Sequence, residues 1–281
     1  MTPQVQDIRL RRESRFLQIG EYKIFVEIDG SGPYILMTHG LGSNTNAFQP
    51  LTDIFSKQYT VVRIDWPGHG HSSLHRNGIK FSVPDLVYII QMVVQKLHIP
   101  SVVLVGHSAG GVASMIAAAE YPEMVRGLAV LGAGRTRANQ PASKSFTLSL
   151  ARQARDVGTA TTVDDMVAYN IPSRDSPLAR ALLRTVTAST SAEGYAQMCE
   201  ALCADSHIDP DYSKIICPTC IIGGAADPIS PVSVTDELVG LIATSGRAPK
   251  RFVLETGHMM IFEDINETAN AIRTLLNDVT F

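Results

Sequence analysis

No part of this sequence has the long apolar run that a membrane-spanning helix requires. The longest apolar stretches, such as Leu86–Ile90, are much shorter than the roughly 20 residues that cross a bilayer. The segment Met1–Arg12 also lacks the apolar core of a secretory signal. We therefore expect a soluble, cytoplasmic protein that does not act at a membrane.

The sequence also has little excess of charge. Its 281 residues carry a formal net charge of −3, and hydrophobic residues make up 45% of the chain. A basic cluster at Arg9, Arg11, Arg12 and Arg15 is offset by neighbouring acidic residues, so we interpret it as a solvated N-terminal arm. This balance argues against a nucleic-acid-binding surface and fits a globular protein with a large core.

Cysteine is scarce, and its spacing does not favour a metal site. The four cysteines are Cys199, Cys203, Cys217 and Cys220. Cys217 and Cys220 have the CxxC spacing of zinc and redox sites. They precede an apolar strand, however, whereas a redox motif functions at a strand-to-helix turn. We favour a role as small buried side chains and expect no metal.

Alternating apolar runs and helical patterns predict a mostly parallel β-sheet flanked by helices. The predicted strands are Phe16–Ile19, Tyr22–Glu27, Tyr34–Thr38, Tyr59–Ile64, Ser101–Val105, Leu128–Leu131, Cys220–Ile222 and Arg251–Leu254. The predicted helices among them are Pro84–His98, Ala109–Tyr121, Pro231–Ile242 and Asp264–Leu276. Alternation of this kind is typical of βαβ units and therefore of the α/β class.

One region interrupts the alternation. Residues 135–213 contain no convincing buried strand, and their pattern predicts three or four helices. We interpret this region as a cap over the C-terminal edge of the sheet, where open α/β sheets bind ligands. The expected organisation is a core formed by residues 1–134 and 214–281, with a helical cap at 135–213.

The clearest functional signal is the motif G-x-S-x-G at Gly106–Gly110, between a predicted strand and a predicted helix. Glycine at both ends allows a turn too sharp for larger side chains. Such a turn would hold Ser108 in a strained conformation with its hydroxyl in the cleft. A tight turn without chemistry is the alternative interpretation.

Two residues further along the chain favour the catalytic interpretation. A serine hydroxyl needs a base to become a nucleophile at neutral pH. His258 follows the last predicted strand, and Asp227 follows the strand before it. The C-terminal ends of parallel strands meet at one edge, so we expect these residues to meet Ser108 there, with Asp227 supporting the histidine. The alternatives are a surface-loop histidine and an aspartate that caps a turn before Pro228.

Attack on a carbonyl also requires N–H donors for the oxygen that becomes negative. The backbone N–H groups of Leu41 and Ala109 are the candidates for this oxyanion hole. Ala109 follows the candidate nucleophile, and Leu41 lies in a glycine-containing loop after the strand Tyr34–Thr38. We interpret His39 as a residue that braces this loop.

Three residues are candidates for contact with the substrate. Trp66 lies near the same edge of the sheet, either in the pocket wall or in the packed core. Arg135 and Arg137 follow the end of a strand. These arginines either bind a substrate carboxylate or are solvated.

Together these segments resemble the α/β-hydrolase superfamily, and within it capped serine hydrolases such as enol-lactonases and carboxylesterases. The resemblance is carried by H-G-L-G at 39–42, D-W-P-G-H-G-H-S at 65–72, the motif at 106–110, Asp227 and Gly257–His258. It implies hydrolysis of a small ester or lactone through an acyl-enzyme on Ser108, without metal or cofactor.

The resemblance leaves several activities open. Serine at the nucleophile position speaks against dehalogenases and epoxide hydrolases, which have aspartate there. Cleavage of a carbon–carbon bond in a diketone is an alternative reaction. Hydroxynitrile lyases and some hormone receptors keep the serine triad as well. A hydrolase-fold ligand-binding protein with little turnover is therefore a second alternative.

Overall fold

The computed structural model describes residues 12–137, 140–172 and 176–281. Arg9 and Arg11 of the predicted basic arm lie outside these residues, as does the beginning of the predicted core, whereas Arg12 and Arg15 lie in the first strand. The described strands are β1 Arg12–Ile19, β2 Tyr22–Gly30, β3 Tyr34–Thr38, β4 Thr60–Ile64, β5 Val102–His107, β6 Val125–Leu131, β7 Thr219–Gly224 and β8 Lys250–Leu254.

The strands form one sheet in the order β1-β2-β4-β3-β5-β6-β7-β8. The pairs β1–β2 and β2–β4 are antiparallel, and β3 to β8 run parallel. The predicted α/β class and its mostly parallel sheet are confirmed. All eight predicted strands are present, although β1, β2, β5, β6 and β7 each extend further at one end or both than their sequence patterns indicated.

Ten α-helices lie among the described residues. They are α1 Gln49–Phe55, α2 Val83–Lys96, α3 Ala109–Glu120, α4 Pro141–Val157, α5 Thr159–Asn170, α6 Pro177–Ala188, α7 Ala192–Cys203, α8 Val232–Ala243, α9 Met260–Glu263 and α10 Ile265–Leu276. Short 3₁₀ helices occupy Thr45–Phe48 and Tyr212–Lys214. The sequence patterns predicted neither α1 nor α9. None of the described helices is long and apolar enough to cross a bilayer.

Strand β5 illustrates why the sheet is buried on both faces. Val102 and Leu104 pack into one apolar cluster, and Val103 and Val105 pack into a second cluster on the other face. Side chains alternate between the faces of a strand, so a continuous apolar run is needed where helices cover both. This geometry fixes the C-terminal end of β5 deep within the molecule.

The helices α4 to α7 lie between β6 and β7, in the region for which the sequence predicted only helices. Helix α4 packs against α7 through a small cluster that includes Ala151, Tyr195 and Cys199. On the surface of this pair, Arg155 bridges Glu193 and Glu200. Two helices therefore form a unit with its own buried contacts beside the sheet.

The cysteines do not form disulfides. Cys199, Cys203 and Cys220 are buried free thiols, and Cys217 is a partly buried one. Burial raises the pKa of Cys217 to about 11 and that of Cys220 to about 12. Both thiols are therefore protonated at neutral pH and behave as apolar side chains.

Candidate active site

Ser108 lies at the turn between β5 and α3, in a backbone conformation that side chains rarely adopt. Its φ and ψ are 52° and −118°. A Cβ atom at Gly106 would lie 2.5 Å from the carbonyl oxygen of Gly110, and one at Gly110 would lie 2.1 Å from that of Thr38. Both positions therefore require glycine, and the turn that they allow holds Ser108 strained at the edge of the sheet.

Asp227 and His258 reach the same edge from the loops after β7 and β8. Nδ1 of His258 donates to Oδ2 of Asp227 over 2.8 Å, and both side chains are buried. The other carboxylate oxygen accepts the N–H groups of Ile229 and Ser230 at 2.8 and 2.9 Å. The carboxylate is thus fixed through both oxygens. Its bond to Nδ1 leaves Nε2 of His258 as the acceptor of the neutral ring.

Ser108 and His258 line one cavity, and the structure brings both to it. Among the described residues, no hydrogen bond joins the Ser108 hydroxyl to the His258 ring. Catalytic contacts in unliganded sites are often long and tighten with substrate.

Gly132, which the sequence did not single out, lies beside the pair His258 and Asp227 and has a φ of +55°. A Cβ atom there would lie 3.2 Å from Nδ1 of His258 and 3.3 Å from Oδ2 of Asp227.

The main chain around His258 is held on three sides. Its N–H donates to the carbonyl of Asn170 at the end of α5, over 2.9 Å. Its carbonyl accepts the ring Nε2–H of His107 over 2.9 Å. The carboxylate of Glu263 accepts the N–H groups of Gly257 and Met259 at 3.1 and 3.2 Å. These contacts were not predicted, because they join residues that are distant in sequence or that follow no recognised motif.

The loop after β3 brings Leu41 beside the nucleophile. A Cβ atom at Gly40 would lie 2.9 Å from Cβ of Ser108, so the loop approaches the turn closely. Within the described parts of the chain, no acceptor is bonded to the N–H of Leu41 or Ala109. Leu41 lines the main cavity, and Ala109 lines a smaller cavity that also borders Ser108.

His39 and Trp66 brace this loop from below. Nδ1–H of His39 donates to the carbonyl of Gly40 at 2.8 Å, while Nε2 accepts the N–H of Trp66 at 3.0 Å. The indole N–H of Trp66 donates to the carbonyl of His39 at 2.7 Å. Trp66 is fully buried and lines neither cavity. Of the two roles considered for Trp66, the structure therefore supports core packing and not substrate contact.

Three histidines near the site are buried in their neutral form. Burial lowers the pKa of His107 to about 3, and the neighbouring His258 acts in the same direction. Burial lowers the pKa of His69 to about 4. Burial, with the neighbouring His69, also holds the pKa of His39 well below its usual value. These rings therefore serve as hydrogen-bonding braces at neutral pH.

The main cavity has a volume of about 440 Å³. Core residues supply one side of its wall, and the helices α4 to α7 supply the other. Apolar side chains from these helices include Phe146, Leu150, Met166 and Leu183. The rings of Phe146 and Tyr169 lie 6.0 Å apart, and both side chains are partly exposed at the cavity. The enclosure is thus apolar and of the size that holds a small organic molecule.

The two arginines of the site differ in their partners. Arg135 is bridged by the carboxylates of Asp209 and Glu237. The structure therefore does not support Arg135 as a ligand for a substrate carboxylate. Arg137 lines both cavities and donates to the hydroxyl of Thr147.

Residues 33–197 match the family model described as alpha/beta hydrolase fold. The chain is 27% identical over 247 residues to 3-oxoadipate enol-lactonase 2 of Acinetobacter baylyi, covering 87% of this chain and 88% of that protein. It is 36% identical over 118 residues to 2-(acetamidomethylene)succinate hydrolase of Mesorhizobium japonicum. That match spans 42% of each protein.

Solved structures show the same fold. The enol-lactonase from Burkholderia xenovorans superposes with a TM-score of 0.83 at 22% identity, covering 94% of this chain and 100% of that chain. At this identity, the likeness establishes the architecture alone.

Proposed function

Because this chain belongs to the alpha/beta hydrolase fold family, we propose that it is a serine hydrolase of small carboxylic esters or lactones. In this proposal Ser108 is the nucleophile, His258 the general base and Asp227 the acid that supports it. The 2.8 Å contact between His258 and Asp227 beside the strained Ser108 carries the proposal. Similarity to an enol-lactonase over most of the chain adds support for a lactone or an ester as substrate.

The first half of the proposed reaction forms an acyl-enzyme. Nε2 of His258 takes the proton of the Ser108 hydroxyl as its oxygen attacks the substrate carbonyl. The N–H groups of Leu41 and Ala109 stabilise the resulting oxyanion. Asp227 fixes the tautomer of the imidazole and stabilises its charged form. The imidazolium then protonates the leaving alkoxide, and the carbon–oxygen bond of the ester breaks.

Water completes the cycle by the same steps. His258 takes a proton from a water molecule, whose oxygen attacks the acyl carbon. The tetrahedral intermediate collapses, Ser108 recovers its proton from the imidazolium, and the carboxylic acid leaves. In a lactone, the alcohol and the acid belong to one product molecule. No electron transfer enters this sequence.

We further propose that residues 135–213 act as a cap that encloses the substrate. The apolar side chains of α4 to α6 that line the cavity support this role. A cap of this kind excludes water and limits the length of the acyl chain. The carbonyl of Asn170 bonds to the N–H of His258, so the cap also contacts the base directly.

Steady-state hydrolysis of 4-nitrophenyl acetate tests the proposal. We expect multiple turnovers by the native chain and loss of nearly all turnover in Ser108→Ala. Ser149→Ala is the matched control, because Ser149 is exposed on α4. A fluorophosphonate probe should label Ser108 in the native chain, as peptide mass spectrometry would establish.

Three results would reject the proposal. Turnover that persists in Ser108→Ala would remove the nucleophile. A native chain that stops after one turnover would favour the ligand-binding alternative. Hydrolysis of a diketone in preference to esters and lactones would replace the reaction with carbon–carbon bond cleavage.

A further inference from the structure

Arg137 carries a positive charge into the active-site cavity without an acidic partner among the described residues. It is partly buried and lines both cavities that border Ser108. Its one side-chain hydrogen bond within the described chain is to the neutral hydroxyl of Thr147. A guanidinium has five N–H donors, so most of them lack an acceptor. A partly desolvated charge of this kind favours an anionic ligand.

The carboxylates in the neighbourhood already have a cation. Asp209 accepts from Arg135 Nε at 2.9 Å and also from the N–H of Thr136 at 2.8 Å. Glu237 pairs with the same guanidinium and is about half exposed. Arg135 and the solvent therefore balance the negative charges of these two carboxylates. The charge of Arg137 remains directed to the cavity.

The smaller cavity is a polar side chamber beside the nucleophile. Its volume is about 70 Å³, and its lining includes Ser108, Arg137, Gln140 and Ser143. His207 also lines it and is 2% exposed. Its Nδ1–H donates to the carbonyl of Leu202 at 2.9 Å, whereas Nε2 has no partner in the described chain. The buried Nε2 of His207 is therefore an unpaired acceptor, which a hydrogen-bond donor such as an ordered water can satisfy.

The two cavities lie on either side of shared lining residues, among them Ser108 and Arg137. A substrate carbonyl at Ser108 can therefore extend an apolar part into the larger cavity and a compact polar part into the side chamber. We propose that the side chamber binds a substrate carboxylate through Arg137, so that the preferred substrates are esters or lactones that bear an acid group near the scissile carbonyl. This inference rests on the proposed function for the location of that carbonyl.

Binding to the Ser108→Ala variant tests the chamber without turnover. The probes are monomethyl succinate and methyl butanoate, which differ only in a carboxylate against a methyl group. Ligand-observed NMR titration gives the two dissociation constants. We expect monomethyl succinate to bind about tenfold more tightly or better, the effect of a hydrogen bond to a charged group. Equal affinities, or tighter binding of methyl butanoate, would overturn the proposal. This comparison requires no change at Arg137.

Arginine variants then identify the group responsible. In the Ser108→Ala background, Arg137→Gln should reduce the preference for monomethyl succinate to less than about threefold, and Arg137→Lys should retain part of it. Arg152→Gln removes the same charge from an exposed position on α4 and should retain the full preference. If Arg152→Gln reduced the preference for monomethyl succinate as much as Arg137→Gln, the proposal would be overturned in favour of a long-range effect of net charge.

The outcomes separate this inference from the function on which it rests. A carboxylate preference in binding, together with no hydrolysis of nitrophenyl esters, would reject the serine hydrolase and keep the anion-binding chamber. Ser108-dependent hydrolysis with no preference between the two probes would keep the serine hydrolase and reject the anion-binding chamber. A higher kcat/KM for 4-nitrophenyl hemisuccinate than for 4-nitrophenyl butanoate is expected where both hold.

Discussion

Acid should destabilise this protein through the neutral histidines that brace its candidate site, and His107 offers the clearest test. The ring of His107 is buried, and Nε2–H donates to the carbonyl of His258 over 2.9 Å. His107→Gln can keep an amide donor near this carbonyl while it removes the titratable group. The comparison therefore isolates the proton equilibrium of one ring.

The magnitude follows from the shift in pKa. The ring has a pKa of about 3 in the folded protein, against about 6.5 in an unfolded chain. Because the folded value is the lower one, the stabilising contribution is complete above pH 6.5. It is lost as the pH falls toward 3. Between about pH 6.5 and pH 5, an interval of about 1.5 pH units, His107 is protonated in the unfolded chain but remains neutral in the folded protein. This difference lowers the free energy of unfolding by about 2 kcal/mol between pH 7.5 and pH 5.

The free energy of unfolding of the native chain should fall by more than the contribution of His107 alone. His69 is buried in the same way, with a pKa of about 4, so it adds a loss of about 2 kcal/mol. Burial also holds the pKa of His39 well below its usual value, so His39 adds to the loss in the same direction. Asp65 acts in the opposite direction, since burial raises its pKa to about 6. Its protonation between pH 6 and pH 5 restores about 1 kcal/mol. The net expected loss from His107, His69 and Asp65 together is about 3 kcal/mol, to which His39 adds.

Urea denaturation at pH 7.5 and pH 5, followed by circular dichroism, measures these free energies. The loss between the two pH values should be about 2 kcal/mol smaller in His107→Gln than in the native chain. His98→Asn is the matched control, because His98 is exposed and has a φ of +53°, a conformation that asparagine tolerates. An unchanged pH dependence in His107→Gln would refute a neutral, buried His107.

Three further substitutions probe the backbone around the proposed base and a helix far from it. Glu263→Gln should lower kcat/KM about tenfold with little change in the melting temperature, because an amide cannot accept both N–H groups that flank His258. Gly257→Ala would place a Cβ atom 2.5 Å from the ring of Pro172 and should destabilise the fold by about 1–3 kcal/mol, measured by urea denaturation. Gly240→Ala, within α8 and facing open space, should instead stabilise the fold by about 0.5–1 kcal/mol.

Controls distinguish these effects from general damage. Glu255 is an exposed residue three positions before His258. Glu255→Gln therefore removes a negative charge near the base without removing a buried contact, and its kcat/KM should stay within about twofold of the native value. An equal fall in Glu255→Gln and Glu263→Gln would point to a field effect and not to positioning. A Gly257→Ala protein as stable and active as the native chain would show that the segment around Pro172 moves easily.

The sequence predicted the features that are encoded locally. The strands are continuous apolar runs because both faces of the sheet are covered, and a single strand such as β5 carries that information itself. Ser108 was recognisable because the glycines of its motif are required by contacts within a few residues and with the adjacent strand. Helix α1 was missed because it has seven residues and depends on packing by Leu51 and Phe55, which propensity alone does not reveal.

The roles of individual polar side chains required the tertiary structure. Arg135 and Arg137 have the same chemistry and nearly the same position in the sequence. Asp209, which binds Arg135, lies 74 residues further on, and no local pattern reports it. Trp66 likewise could not be assigned until its bond to His39 was seen. Glu263 lies close to His258 in sequence, but only the turn between β8 and α9 directs its carboxylate back to the flanking N–H groups.

By itself, the sequence determined the α/β class, the order of the strands along the chain, and the three side chains proposed for catalysis, because periodicity and the ends of parallel strands are properties of short segments. Only the tertiary structure decided which arginine keeps a free charge in the cavity, which aromatic ring is core, and how the backbone of His258 is held. Those properties depend on partners brought together from distant parts of the chain, such as His107 and His258, which are 151 residues apart.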